Sequence, residues 1–452
     1  MRLVIIGGGI SGLSLAYFLL EQRPALDILV LESEQKAGGK IWTDKIDGFL
    51  CEWGVNGFLD NRPKTLELVS KLGLTPLRSN DNARKRFIFS NGRLNLLPES
   101  PTAFLASNLL SVRGRLRILW EPFVPKWQGG DETLAHFATR RLGREAYEKL
   151  IDPMASGIFA GDPETMSLKS CFRKVYLLEQ TYGSLIRGMI NLQKEAKKTG
   201  RKVGAGPGGV LTSFFDGMET VIQALTAFLG ERLRTGSPVV SLDRKTTSYE
   251  IFLGDGTTLS ADAVVCATPA FVTSAMVKEL DRELSAVLSE ISYPSISVVC
   301  LGYRREKIRQ NLDGFGFLVP FREGRRILGT LWDSSIFPNR APEGYVLLRT
   351  MLGGARKSDL ALEPEDTLKG IVMDELRGIM GISAEPDIAR VYTHPRGIPQ
   401  YTIGHEQKTA RIAELCRKYK GFHVTGNAYG GIGVNDCIEN SSQLAQRILQ
   451  EI

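Results

Sequence analysis

The chain has 452 residues, 43% of them hydrophobic and 24% charged, with a formal net charge of +7. That is a globular composition on a length sufficient for two or three domains with sizeable cores, which excludes a disordered or fibrous protein. The six cysteines (Cys51, Cys171, Cys266, Cys300, Cys416, Cys437) form no C-x-x-C pair and the four histidines (His136, His394, His405, His423) stand far apart, which argues for buried thiols in a reducing compartment and against disulfides or a metal site.

The first stretch, Arg2 to Glu32, reads RLVIIGGGISGLSLAYFLLEQRPALDILVLE. An apolar run meets Gly7, Gly9 and Gly12 in the spacing G-x-G-x-x-G, a helical pattern follows, and a second apolar run ends in Glu32. This is a β-α-β unit that binds a dinucleotide. Gly7 permits the tight turn, Gly9 lets backbone approach a pyrophosphate, and Gly12 lets helix pack on strand, so that the helix N-terminus meets the phosphates. Gly8, Ile10, Ser11 and Ser33 flank these contacts, and Glu32 is placed for ribose hydroxyls. Leu3 to Leu20 carries no charge, but four glycines and two serines make it a poor membrane span, and no cleavage site suggests a signal peptide. Taken alone, the unit serves nicotinamide and flavin enzymes equally.

After Glu32, the pair Gly38-Gly39 makes a turn where backbone again approaches a nucleotide, and Lys40 offers a cation for phosphate. In FLCEWGVNGFLDNRP, Glu52, Gly54, Asn56 and Phe58 alternate along a strand entering a turn. Arg84, Lys85 and Arg86 precede a short β pattern; Arg86, which adjoins the apolar strand, is the one expected to point inward. From Pro98 to Lys202 the pattern is helical. Within it, SVRGRLRILWEPFVPKW interleaves Arg113, Arg115, Arg117 and Lys126 with leucines, Trp120, Phe123 and Trp127, as in segments that lie on an anionic interface. QKEAKKTGRKVGAGPGG then reads as a solvated helix end and linker.

From Leu211 the chain returns to the nucleotide part through a β-meander and a buried strand, with Val239 a candidate to pack near an adenine. Strand-like runs between Pro294 and Gly354 suggest a mixed sheet walling an apolar cavity lined by Phe315, Leu318, Leu331 and Met351. A helix is expected from Asp366 to Met380. The end, GFHVTGNAYGGIGVNDCIENSSQLAQRILQ, is a strand, a glycine-rich turn and a helix starting near Val434, whose N-terminus favours negative charge. No nucleic-acid motif accompanies the positive charge, so an anionic substrate or membrane surface is the expected partner, and no nucleic acid.

Taken together, VIIGGGISGL, GGKIWT, EWGVNGF, RFIF, GIFAGD, DGFGFLVP, MLGGAR, IPQYTIGH and GVNDCIE make the chain resemble the flavin-dependent protoporphyrinogen oxidases of the flavin amine oxidase superfamily. The resemblance implies an α/β and α+β fold in three interleaved parts. These are a Rossmann-like FAD domain (1–80, 206–275 and 418–452), a mixed-sheet substrate domain (81–97 and 276–417), and a helical, membrane-contacting domain (98–205). It implies non-covalent FAD, with Gly7 to Gly12, Glu32 and Ser33 on the adenosine side and Val239 near adenine. Gly39, Lys40, Gly54, Val55, Asn56, Gly57, Asn427, Ile432, Gly433 and Val434 would lie around the flavin. It also implies Arg86 as receiver of a substrate propionate, Asn56 between flavin and substrate, Gly157 and Gly161 at a close approach, and Phe315, Leu318, Leu331 and Met351 as pocket lining. Lys40 stands where many relatives carry arginine, and Val55 where a proline is common. No acid–base residue is assigned.

The implied activity is FAD-dependent oxidation of protoporphyrinogen IX, with dioxygen as acceptor and hydrogen peroxide as product. The alternatives are the same oxidation of coproporphyrinogen III and, further off, a non-catalytic prenyl-binding scaffold. A peripheral enzyme of the cytoplasmic membrane face, or of the cytoplasm, is expected. A homodimer is compatible with the sequence, which does not give the oligomeric state.

Overall fold

The computed structural model describes residues 1–98, 107, 109–199 and 208–451. The glycine-rich half of the expected linker, residues 200–207, lies outside them.

Strand Arg2–Ile6 is an unbroken apolar run after its first residue because both of its faces are covered, as parallel strands between helical layers require. It pairs in parallel with Asp27–Leu31 on one side and Ala263–Cys266 on the other; Leu233–Arg234 and Phe422–Val424 complete the sheet. On one face, helix Ile10–Gln22 packs with helices Glu219–Leu229 and Val434–Glu451 around Leu13, Leu15, Leu225 and Ile438. On the other lies the expected meander, Val239–Arg244, Tyr249–Leu253 and Thr258–Ala261. Helices Arg282–Ser289 and His405–Cys416, which the sequence places in the substrate part, insert Leu284, Leu288, Ile412 and Leu415 into this same core.

The second sheet has seven strands in the order Ile388–His394, Ile296–Arg304, Tyr345–Gly353, Ile327–Leu331, Gly316–Leu318, Arg86–Ser90, Arg93–Leu96. All neighbours are antiparallel except Gly316–Leu318 with Arg86–Ser90, so the sheet is mixed as expected. Helix Glu365–Met380 covers one face through Leu368, Val372 and Leu376, and strand Phe49–Glu52 packs on part of the other against Val298, Cys300 and Leu347.

The helical layer is built on a buried ion network. Arg141, with no exposure, pairs with Glu121 at 3.1 Å and with Glu179; Arg140 joins Glu179 and Glu132, each at 2.9 Å. Glu121 also accepts from the Leu185 and Ile186 amides, satisfying the open N-terminus of helix Leu185–Thr199. Two of the arginine–lysine set expected at an anionic interface are instead used inside this layer. The Arg117 guanidinium donates to the carbonyls of Arg140 and Arg141, and Lys126 to that of Gln180 at 3.0 Å. Both therefore complement helix C-termini, where carbonyls lack intrahelical partners and the dipole favours cations. Val112, Leu116, Leu119, Trp120 and Phe123 remain exposed beside Arg113. Among the described residues no helix is long and apolar enough to cross a membrane.

Candidate cofactor and substrate site

The glycine fingerprint forms a cradle. Gly7 sits at φ +112°, and a Cβ on Gly12 would lie 2.0 Å from the Gly7 carbonyl oxygen, so helix and strand touch where only glycine fits. At Gly9 the added atom would meet nothing nearer than the Gly39 Cα at 4.0 Å, which leaves open space over the start of helix Ile10–Gln22. Gly9 is also that helix's N-cap and supplies no side-chain cap. Such an N-terminus, with backbone amides and positive dipole end toward the opening, fits a pyrophosphate. Glu32 is buried at the end of its strand and accepts from the Gly8 amide at 2.7 Å, the Glu34 amide at 2.9 Å and the Ser33 hydroxyl at 3.0 Å. The Glu32 carbonyl takes the Ser237 amide at 2.8 Å, which draws the half-buried Val239 toward the same corner.

From the cradle the predicted positions run in contact toward the flavin side. The Gly38 amide donates to Gly8 at 2.9 Å, Gly39 lies against Gly9, and the Lys40 carbonyl lies against Gly54. The Lys40 ammonium does not reach toward the fingerprint: it donates to the carbonyls of Arg396, at 2.8 Å, and Gly397, and burial lowers it to about 8. Strand Phe49–Glu52 ends in a carboxyl held by the Thr43 hydroxyl at 2.7 Å and the Met218 amide at 2.8 Å, with Arg340 3.6 Å away; burial pushes Glu52 up to about 7.

Beyond it, Arg349 donates to the Gly54 carbonyl at 2.8 Å, Val55 packs on the nucleotide core, and a Cβ on Gly57 would strike the Thr212 carbonyl at 2.5 Å. The Asn56 amide, between them, is buried with neither its oxygen nor its nitrogen hydrogen-bonded within the protein. An orphaned buried amide is costly. An amide-bearing ring edge such as that of a flavin is the partner that would satisfy it.

The C-terminal segment meets the same region. Asn435 donates to the Leu59 carbonyl and Ser441 to that of Ser11, at 2.9 and 2.8 Å, so the start of the last helix lies between the fingerprint and the Asn56 loop. Asn427, Ile432, Gly433 and Val434 lead into it, with Ile432 packed on the helical layer and Val434 in the nucleotide core.

The proposed substrate wall is the half-buried part of the sheet face opposite helix Glu365–Met380. Register aligns Leu318 with Gly329 and Gly329 with Met351, and likewise Gly316 with Leu331 and Leu331 with Arg349. A Cβ on Gly157 would lie 2.6 Å from Leu318, and one on Gly161 2.6 Å from the Met166 sulfur, so both are close approaches. Arg86 is exposed and not inward-pointing: opposite Gly316, it lies over the Phe315 ring with 5.2 Å to the centroid. Stacking on a ring holds a guanidinium in place.

Sequence reasoning missed the charges beneath this wall. Arg349 and Asp333 are essentially unexposed, paired at 2.8 Å, and tie the substrate sheet to the Gly54 loop. A lone arginine within the apolar run VLLRTMLGG was the available signal, since such a residue is buried only when paired.

A glycine-rich cradle on the parallel sheet, with an apolar face of the mixed sheet in the same molecule, is the arrangement of an enzyme that holds a dinucleotide beside a substrate. In agreement, the model of the flavin-containing amine oxidoreductases matches residues 10–449, and the chain belongs to that family: it is an oxidoreductase with FAD as its cofactor. It is 30% identical to coproporphyrinogen III oxidase of Bacillus subtilis, over 97% of this chain and 96% of that one. It is 32% identical to the chloroplastic protoporphyrinogen oxidase 1 of Arabidopsis thaliana, over 98% and 87%. A solved structure from Exiguobacterium sp., provisionally assigned as a protoporphyrinogen oxidase, superposes with a TM-score of 0.84 at 27% identity, over 100% of this chain and 99% of that one.

Proposed function

We propose that this enzyme oxidises a porphyrinogen, protoporphyrinogen IX to protoporphyrin IX, in successive two-electron steps with dioxygen as final acceptor and hydrogen peroxide as product. The observation that carries the reading is the stacked guanidinium of Arg86 over Phe315, at the edge of an apolar wall formed by Leu318, Leu331 and Met351. A flat apolar macrocycle with carboxylate tails matches that surface. Bound FAD supplies the two-electron acceptance. The chain's own residues orient and shield: the wall carries the ring beside the Gly157 helix that packs on Leu318, Arg86 holds a propionate, and Asn56 stands between cofactor and substrate. The Bacillus subtilis relative favours a second reading, coproporphyrinogen III as the substrate of the same site.

Anaerobic mixing of the holoenzyme with each porphyrinogen, followed by flavin absorbance, tests both. Protoporphyrinogen is expected to bleach the flavin faster, and readmitted dioxygen to restore it with peroxide release; faster bleaching by coproporphyrinogen selects the second reading, and none by either overturns the proposal. Arg86→Ala is expected to raise the substrate concentration for half-maximal reduction about tenfold or more, the scale of a charge-assisted contact, with flavin content unchanged. Unchanged half-saturation would remove Arg86 from its role.

The exposed face of Val112, Leu116, Leu119, Trp120 and Phe123 beside Arg113 supports peripheral attachment to an anionic membrane, on its cytoplasmic side. Replacing Trp120 and Phe123 together by alanine is expected to abolish binding to anionic vesicles. A parent enzyme that ignores such vesicles would sink this assignment.

A further inference from the structure

Three stretches that mark the family resemblance meet around one ring: GIFAGD at 157–162, IPQYTIGH at 398–405, and the turn leading into GVNDCIE. Tyr401 is buried, and its hydroxyl donates to the Asn427 carbonyl at 2.6 Å and accepts from the Gly431 amide at 2.9 Å. Both partners belong to the irregular segment between strand Phe422–Val424 and helix Val434–Glu451, where Gly426 and Gly431 hold φ of +132° and +121°. Backbone there has no β-ladder to satisfy or fix it, and one phenol does both for two groups. His405 is buried and stacks on the Tyr401 ring at 3.9 Å and 14°, backing the ring that holds this segment. Burial lowers the imidazole to about 4, so it stays neutral at ordinary pH.

The other side of the motif is tied into the helical layer. The Tyr401 carbonyl accepts from the Ser167 amide at 2.9 Å, Gln400 donates to the Phe159 carbonyl at 2.9 Å, and the Gly404 amide donates to Asp131 at 3.1 Å. Gly161 is glycine here because a Cβ would lie 2.7 Å from the Gln400 side-chain oxygen. The helix that carries Gly157 against the substrate wall is thus seated on the same motif that grips the flavin-side turn.

We infer that Tyr401 and His405 are positioning residues for the cofactor: they hold the Asn427 to Gly431 turn in the register that presents Ile432 to Val434 to the flavin, and they couple that register to the seating of the helical layer over the substrate. This rests on the placement of the flavin at that turn argued above. Neither side chain takes a proton or an electron; the effect runs through the backbone they hold.

The test is the rate of FAD release from the diluted holoenzyme, together with the visible-region circular dichroism of the bound flavin, which a merely structural change elsewhere would not move. Tyr401→Phe keeps the ring and its stack on His405 and removes both hydrogen bonds. About tenfold faster release is expected, the scale of two net hydrogen bonds, with an altered flavin dichroism. His405→Ala keeps both Tyr401 bonds, removes the stacked ring, and is expected to speed release about threefold to fivefold. If Tyr401→Phe releases FAD at the parent rate with the parent dichroism, the inference fails. Should Tyr401→Phe not fold, unchanged release from His405→Ala overturns it equally. A parent protein without flavin dichroism would instead refute the placement of the flavin.

Discussion

Gly12→Ala yields a protein that purifies with less than about a tenth of the normal flavin absorbance, because one methyl group is aimed at backbone. The added Cβ lies 2.0 Å from the Gly7 carbonyl oxygen and 3.3 Å from the Ala267 Cβ. A flexible side chain could move aside at such a distance, but Gly7 is fixed by its amide bond to Leu31 at 2.7 Å within the central sheet. The helix must therefore shift off the strand. That overpacking costs on the order of 1–3 kcal/mol or more, and it withdraws the helix N-terminus from the phosphates it is placed to meet. Gly9→Ala is the informative contrast, since its Cβ enters open space. It should leave unfolding in urea unchanged for the flavin-free protein, yet weaken FAD binding, because the space it fills is the ligand's. Normal flavin content in Gly12→Ala would mean that the phosphates lie elsewhere.

Asp333→Ala is expected to destabilise the enzyme by about 3–5 kcal/mol, the cost of leaving one member of a buried ion pair without its partner. Arg349 and Asp333 are 1% and 0% exposed, with the guanidinium at 2.8 Å from the carboxylate. Burial pushes the Asp333 carboxyl up, and the neighbouring Arg349 and Arg340 oppose that. With the carboxylate gone, Arg349 keeps its bond to the Gly54 carbonyl but loses its counter-charge, so the loop bearing Asn56 loosens as well. Urea unfolding gives the first effect and FAD release the second. Replacing both together, Asp333→Leu with Arg349→Met, should recover most of the stability but not the grip on Gly54. A single variant as stable as the parent would show that water enters this interface.

The nucleotide part was readable because its constraints are local. Gly7, Gly9, Gly12 and Glu32 lie within one β-α-β unit, so their spacing along the chain already fixes their placement around the turn. Leu318, Leu331 and Met351, expected to line one cavity, do come to neighbouring strands of one sheet in register. What escaped was set by partners far along the chain. Arg117 looks like any interfacial arginine until helix Leu134–Leu142 ends against it, and Arg86 looks inward until Phe315 and Gly316 arrive beneath it. Lys40 illustrates the same limit: its neighbours in sequence are glycines and its partners are the carbonyls of Arg396 and Gly397. Tyr401 shows no task in the sequence, because the backbone groups it satisfies belong to residues 427 and 431.

The order of strands in the parallel sheet also dictates when the cofactor site can come into being. Arg2–Ile6 finds one neighbour at once in Asp27–Leu31, but its other neighbour is Ala263–Cys266, whose own outer partner is Phe422–Val424. At about 5–20 residues per second of synthesis, roughly 20 to 80 seconds separate the first β-α-β unit from the last strand. Throughout that interval an apolar strand edge stands uncovered, the kind of surface that recruits other chains. The parallel sheet that carries the glycine cradle is therefore complete only once Phe422–Val424 has been made.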